Sequence, residues 1–388
     1  MIKHEVAFFT DTYLPAIDGV VTSILSFKSE LPKYGYKVTL YAPSNSVSFK
    51  KSNDTILFPS IKFKPYPQYR IAIFPFYSFI KNKADIIHAH TPYMMGLTAL
   101  INARIHDIPF VCSFHTWVND KSIIENYYPN NKYIKNVTSK YLWEYTKYFY
   151  KKCDAVIAPS NTVKLELEKH GINNIYVIPN GVDLSIFNYK LDGSLIRLRY
   201  GLNESDKLIL YVGRLSYEKK IDVMLKAIAI LYKKEKNIKV IIGGTGPAEQ
   251  YYKKLSEKLG IQKIVRFIGF VPQNILPYLY AAADVFCMPS TFETQGIVVL
   301  EAMALGKPVV GADYMALHEL IIDHKNGLKF KPNDPLDCSR KLMEILKNTE
   351  VYKNNCIMTA RKFSKGNVTK LLVDLYEKLL KGDIPGRE

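Results

Sequence analysis

Short apolar runs alternate with helix-period stretches along this chain, and the alternation starts afresh near the middle. Few architectures accept that pattern. Glu5 to Phe9 is a short apolar strand, Val20, Ile24, Phe27 and Leu31 recur at helical spacing, and Gly35 stops that helix. Val38, Leu40 and Ala42 then alternate as the next strand, completing a β-α-β unit. Ala84 to His88 and Pro109 to Phe114 supply further strands, each followed by a helical stretch. The half up to about Pro179 therefore reads as one doubly wound sheet. Past the turn-rich Pro179-Asn180-Gly181-Val182-Asp183, the runs Leu208 to Val212, Val240 to Gly243, Val265 to Gly269 and Val285 to Pro289 repeat the scheme. At 388 residues the chain exceeds the roughly 250–300 at which a single core stops growing. The expected class is α/β with two doubly wound domains, 1–182 and 183–365, and a tail 366–388 whose amphipathic stretch, Val368 to Leu380, needs a surface to cover.

Several classes are set aside by the same sequence. Met1 to Glu5 leads straight into the first strand without the apolar core of a signal peptide. The apolar run Ile71 to Ile80 is well short of the ~20 residues of a spanning helix, so a cytoplasmic location is expected. Cys112, Cys153, Cys287, Cys338 and Cys356 are odd in number, scattered and without a C-x-x-C pair, which argues against a disulfide framework and a zinc knuckle. A formal net charge of +17 asks for an anionic partner or reflects lysines on solvated faces. Seven Lys or Arg stand against one acid from Lys50 to Lys83, and seven against two from Lys121 to Lys152. Tyr127, Tyr128, Tyr133, Tyr141, Trp143, Tyr145, Tyr148, Phe149 and Tyr150 are interleaved with the second stretch, a mixture that suits an anionic bilayer surface. No helix-turn-helix, zinc or single-strand-binding signature accompanies the charge, so nucleic acid is not expected as a partner.

Open α/β sheets bind ligands beyond the carboxyl ends of their strands, which directs attention to residues just after strands. In Thr291-Phe292-Glu293-Thr294-Gln295-Gly296-Ile297-Val298-Val299-Leu300-Glu301, two carboxylates stand eight residues apart around a glycine that should open a helix. The amides of Gln295, Gly296 and Ile297 at a helix N-terminus suit a diphosphate, and Glu293 and Glu301 suit sugar hydroxyls. A solvated helix start with two ordinary glutamates is the alternative. Arg214 and Lys219 follow the strand ending in Val212, where two cations could neutralise a leaving diphosphate or form an ordinary surface pair. His115 follows the strand ending in Phe114, as a site residue or as a core or capping one. Asp18-Gly19-Val20 opens the first helix, where a glycine lets backbone approach a phosphate. Gly243-Gly244-Thr245-Gly246-Pro247 lacks both the last glycine of G-x-G-x-x-G and the lysine of a P-loop, which argues against a dehydrogenase or an ATPase.

These motifs, in this chain order, resemble the family-four retaining glycosyltransferases from about Val6 to about Lys365. The resemblance implies the glycosyltransferase-B fold: two Rossmann-like doubly wound domains facing across a cleft, acceptor on the first, donor on the second, and a last helix returning to the first. Phe8-Phe9-Thr10-Asp11-Thr12-Tyr13-Leu14-Pro15, Pro65-Tyr66-Pro67-Gln68-Tyr69-Arg70 and Ser113-Phe114-His115-Thr116 look most like diacylglycerol glucosyltransferases. Asp18, where many members have glycine, and Lys220, where glycine commonly follows the lysine, depart from the pattern. Carried onto this sequence, the resemblance implies a donor site of Gly19, Arg214, Lys219, Gly246, Val271, Glu293, Gln295, Gly296, Ile297 and Glu301. His115, Arg214, Lys219 and Glu293 would take part in catalysis. Tyr66, Tyr69, Arg70, Lys140, Trp143 and Lys147 would meet the acceptor or the membrane. No D-x-D sequence occurs, and the resemblance implies a metal-independent transfer with no cofactor beyond a UDP-sugar donor, glucose or galactose. Implied partners are diacylglycerol or another lipid acceptor and the anionic inner face of the cell membrane. A soluble or polysaccharide acceptor is the alternative.

Overall fold

The computed structural model describes residues 2–15, 18–46, 50–62, 70–73, 84–115, 117 and 132–383, and over 132–139 the backbone alone. The chain divides into two compact units, Met1–Gly181 with Lys365–Glu388, and Val182–Ser364.

In the first unit, β1 (His4–Phe9), β2 (Tyr36–Pro43), β3 (Lys50–Lys51), β4 (Thr55–Phe58), β7 (Ile86–Ala89), β8 (Phe110–Ser113), β9 (Ala155–Ala158) and β10 (Ile175–Val177) form one sheet, in the order β10-β9-β8-β7-β1-β2-β4-β3. All neighbours are parallel except β3 with β4. The short strands β5 (Ser60–Lys62) and β6 (Arg70–Ala72) pair separately. Strands covered on both faces read as continuous apolar runs, and β7, β8 and β9 are buried at every residue. The Asp18 carboxylate accepts the Val21 amide at 2.9 Å and so caps the helix Gly19–Glu30, which is the local reason for an aspartate at that position. The amphipathic final helix, Lys365–Lys381, buries Val368, Leu372, Val373, Leu375, Tyr376 and Leu379 in this unit's core. Its start is fastened by Lys365 to the buried Glu30 at 3.3 Å and by the Tyr34 hydroxyl to the Gly366 carbonyl.

The second unit's sheet takes β11 (Lys207–Val212), β12 (Ile238–Gly243), β13 (Val265–Gly269), β14 (Val285–Met288), β15 (Val309–Ala312) and β16 (Gly327–Phe330) in the order β13-β12-β11-β14-β15-β16. Every pairing is parallel. This is the classic-order Rossmann sheet, and its strand order reverses between β11 and β14, where such sheets leave a crevice at their carboxyl ends. All five cysteines are buried free thiols.

Candidate functional site

Beyond the carboxyl ends of β11 and β12, two loops of the second unit meet backbone to backbone. A Cβ on Gly246 would lie 2.4 Å from the Leu215 carbonyl oxygen. Leu215 donates its amide to Thr245 O at 3.0 Å, and Ala248 donates to Leu215 O at 2.9 Å. The glycine-rich turn therefore has a packing reason: it holds the loop that carries Arg214. Val271 abuts the same turn, its methyl 2.8 Å from where a Gly243 Cβ would stand. The Tyr211 hydroxyl donates to the Arg214 carbonyl at 3.1 Å, fixing the backbone from which that guanidinium extends.

Lys219 ends the short 3-10 turn Tyr217–Lys219, and Lys220 follows at φ 52°, ψ 35°. This is the left-handed region that glycine adopts freely and other residues enter at about 1 kcal/mol, the physical sense of a glycine at that step. Lys219 Nζ donates to Glu293 Oε1 at 2.6 Å and to the Phe292 carbonyl at 3.2 Å, with both side chains more than four-fifths shielded. The two residues expected to serve phosphate and sugar separately are thus an ion pair. An ammonium has three hydrogens and a carboxylate several acceptor sites, so each keeps capacity for a ligand.

Gly296 takes φ 84°, ψ 55° and opens the helix Ile297–Ala304, which no side chain caps. The Gly296 carbonyl takes the Val299 amide at 2.9 Å, and the helix's positive end suits an anion. Glu301 lies one turn in from Ile297 on the same face and is buried. It accepts the Tyr280 hydroxyl at 2.8 Å, and burial, only partly offset by that bond, pushes its carboxyl up to about 7. Tyr280 escaped the sequence reading, because a tyrosine inside a short apolar helix is indistinguishable from a core aromatic.

In the first unit, His115 follows β8 and belongs to a histidine stack. The His90 ring lies 4.3 Å from that of His88 and 5.5 Å from that of His115, and His90 Nδ1 is 3.2 Å from His115 Nε2. His88 spans the Tyr376 hydroxyl at 2.6 Å and the Ser113 hydroxyl at 2.8 Å. Burial holds all three imidazoles far below their usual range, His115 at about 4 and His88 at about 3, so the stack is neutral near pH 7. Asp11, just past β1, accepts the Thr91 hydroxyl at 2.6 Å and the Met95 amide at 3.0 Å at the start of the helix Met94–Ile105, and burial pushes it up to about 6. Neither His88, His90 nor Asp11 was singled out from sequence, although His90 stands directly after a strand. A Cβ on Gly19 would meet nothing within 4 Å, so unlike Gly246 it has no packing reason to be glycine.

The basic aromatic helix Lys132–Tyr150 sorts its residues by phase. Tyr141 and Tyr148, seven apart, are exposed, and Lys140 and Lys147 run beside them at the same period. Trp143 turns away, stacked on Trp117 at 5.5 Å and edge-on to His170 at 4.3 Å. Arg70 spends part of its guanidinium on Ser60, at 2.7 Å to the hydroxyl and 3.2 Å to the carbonyl. Tyr66 and Tyr69 lie outside the described residues. Among the described residues no helix is long and apolar enough to cross a membrane, and no group of three or more His, Cys, Asp or Glu is arranged to hold a metal ion.

Comparison with known proteins covers both units. Residues 17–186 match the family model described as Glycosyltransferase Family 4, and residues 194–363 match Glycosyl transferases group 1. The alpha-monoglucosyldiacylglycerol synthase of Streptococcus pneumoniae is 32% identical over 83% of this chain and 74% of its own. The enzyme of the same name from Acholeplasma laidlawii is 28% identical over 97% of both. Among solved structures, sucrose-phosphate synthase from Thermosynechococcus elongatus superposes with a TM-score of 0.78 at 18% identity, over 98% of this chain and 100% of that one. Anabaena HepE in complex with UDP-glucose gives 0.74 at 19%, over 97% and 100%. The architecture is the glycosyltransferase-B fold. With a Rossmann-like sheet in each unit and sequence similarity running through both, the chain belongs to glycosyltransferase family 4.

Proposed function

We propose that the protein transfers glucose from UDP-glucose, with retention of configuration and without a metal ion, to the hydroxyl of a diacylglycerol-type lipid at an anionic membrane surface. One observation carries the donor half of this reading: the uncapped helix Ile297–Ala304 preceded by the Lys219–Glu293 pair, with Glu301 buried one turn in. The diphosphate takes the helix end, Glu301 the ribose, and Glu293 the hydroxyls of the transferred sugar. Arg214 and the remaining N–H of Lys219 take the charge that develops on the leaving phosphate, the stabilisation a divalent ion supplies elsewhere. No carboxylate of the sequence stands out as a nucleophile, and the reading takes front-face attack through an oxocarbenium-like state. The bond from the anomeric carbon to phosphate oxygen breaks, the bond to the acceptor oxygen forms, and the acceptor's proton passes to the departing phosphate oxygen, so no protein base is required.

The lipid half is supported by the two relatives named as diacylglycerol glycolipid synthases and by the exposed Tyr141 and Tyr148 beside Lys140 and Lys147. On this reading the protein works as a peripheral protein on the inner face of the cell membrane. The test is incubation with a panel of nucleotide sugars and with either diacylglycerol vesicles or soluble glycans, reading the product's anomeric configuration by NMR. An α-glucosyl lipid formed from UDP-glucose supports the reading. Transfer only to soluble glycans, or a β-linked product, defeats it.

A further inference from the structure

We propose that Tyr280 is a positioning residue for the nucleotide: its hydroxyl holds Glu301 Oε2, so that Oε1 is the oxygen left to take the ribose hydroxyls. The ligand half rests on the proposed place of the ribose at Glu301. The hydrogen bond belongs to the second unit alone.

Tyr280 lies fully buried in the helix Leu276–Ala282. Its ring meets those of Phe187 at 6.0 Å and Phe286 at 5.6 Å, with interplanar angles of 70° and 56°, so packing on two sides fixes the place of the hydroxyl. Burial, with the Glu301 carboxylate beside it, holds that hydroxyl far above the usual tyrosine range, so it keeps its one hydrogen and gives it to Glu301 Oε2 at 2.8 Å. The neighbouring Tyr211 sends its own hydroxyl to the Arg214 carbonyl and does not compete. Glu301 takes no other hydrogen bond from the described residues, which leaves Oε1 without a protein donor. A buried carboxyl served by one bond is unfavourable for folding, and the hydroxyls of a ligand offset that cost.

The same bond acts on the charge that the ribose meets. Ribose hydroxyls donate, so they favour the ionised carboxylate, which burial opposes and the Tyr280 hydrogen supports. The helix Ile297–Ala304 packs against the helices Leu276–Ala282 and Glu350–Lys362 and against β14 and β15. Their ionisable side chains are Tyr278 and Tyr280, Cys287, and Glu350, Tyr352, Lys353, Cys356, Arg361 and Lys362. Among these described residues Tyr280 is the one that bears on the Glu301 carboxyl. Without its hydroxyl, burial acts unopposed and the carboxyl keeps its proton to a higher pH.

The experiment measures UDP affinity of the full chain by calorimetry from about pH 5.5 to about pH 9, in the wild type, Tyr280→Phe and Glu301→Gln, the last serving as reference for the titration of UDP itself. Relative to that reference, wild-type affinity should rise with pH until about 7 and then level. Tyr280→Phe keeps the ring and deletes the hydroxyl, so its rise should come at higher pH. It should bind UDP about 10-fold more weakly than wild type at pH 7, with the gap narrowing toward pH 9 as the carboxyl ionises unaided. A loss equal at every pH marks a packing role and overturns the proposal, as does no loss. Glu301→Gln binding UDP as tightly as wild type above pH 7 defeats the ribose assignment itself. Should Tyr280→Phe not fold, 13Cζ-tyrosine labelling of the wild type decides: one resonance should titrate near pH 7 and stay still in Glu301→Gln. The absence of such a resonance overturns the proposal.

Discussion

Replacing Glu301 by Gln converts a buried carboxylate of the second unit into a group that cannot titrate. In the unfolded chain this carboxyl has its ordinary value of 4.5, whereas burial in the folded protein raises it to about 7. Below pH 4.5 both states hold the proton and the group does not bear on folding. Between 4.5 and about 7 the folded state holds a proton that the unfolded state has lost, so stability falls as pH rises. The slope is about 1.4 kcal/mol per pH unit, and the accumulated loss is about 3 kcal/mol by neutral pH, constant above it. Glutamine has no such dependence. The wild-type unfolding free energy minus that of Glu301→Gln should therefore drop by about 3 kcal/mol between pH 4.5 and pH 7.5. Both tryptophans, Trp117 and Trp143, belong to the first unit, so intrinsic fluorescence would follow the wrong half. Hydrogen exchange of peptides spanning 279–304, measured across that pH range, reads the right one. A difference that stays flat, or rises with pH, refutes the reasoning. The same carboxyl makes a ligand prediction: if ribose hydroxyls bind its ionised form, UDP binding near pH 6 releases a proton, visible by calorimetry in buffers of different ionisation enthalpy.

Arg214→Ala and Lys219→Ala should each lower kcat by about 10²-fold while donor binding weakens less, because the charge they meet develops in the transition state; unchanged turnover in both removes them from the mechanism. Gly246→Ala should cost about 1–3 kcal/mol, since its Cβ would stand 2.4 Å from the Leu215 carbonyl, whereas Gly19→Ala should leave thermal stability within about 0.5 kcal/mol and raise the donor KM. Equal melting shifts in the two variants would contradict the packing assigned to the glycine-rich turn. Tyr141→Ser with Tyr148→Ser should weaken sedimentation with anionic vesicles, and salt should weaken it further, while Trp143→Phe acts on stability instead; binding indifferent to both tyrosines and to salt would place the docking face elsewhere.

The fold was legible where burial is two-sided. β1, β11 and β14 are short continuous apolar runs between helices, and the pattern reading placed them within a residue or two. Its limits have physical causes. β9 and β15 are four-residue runs too short to tell from helix, and β3 is an exposed Lys50–Lys51 pair with no apolar signal at all. Residues that follow strands could be inspected directly, so Arg214, Lys219, Glu293 and His115 were within reach. Their partners were not: the bond from Tyr280 to Glu301 joins two helices, and the contact from His90 to His115 joins two strand ends 25 residues apart. Helix phase decided the rest, since the same basic aromatic stretch that sends Tyr141 and Tyr148 outward packs Trp143 between Trp117 and His170. Composition announces that such a stretch is basic and aromatic, and only the 100° step of the helix says which of its residues can touch a bilayer.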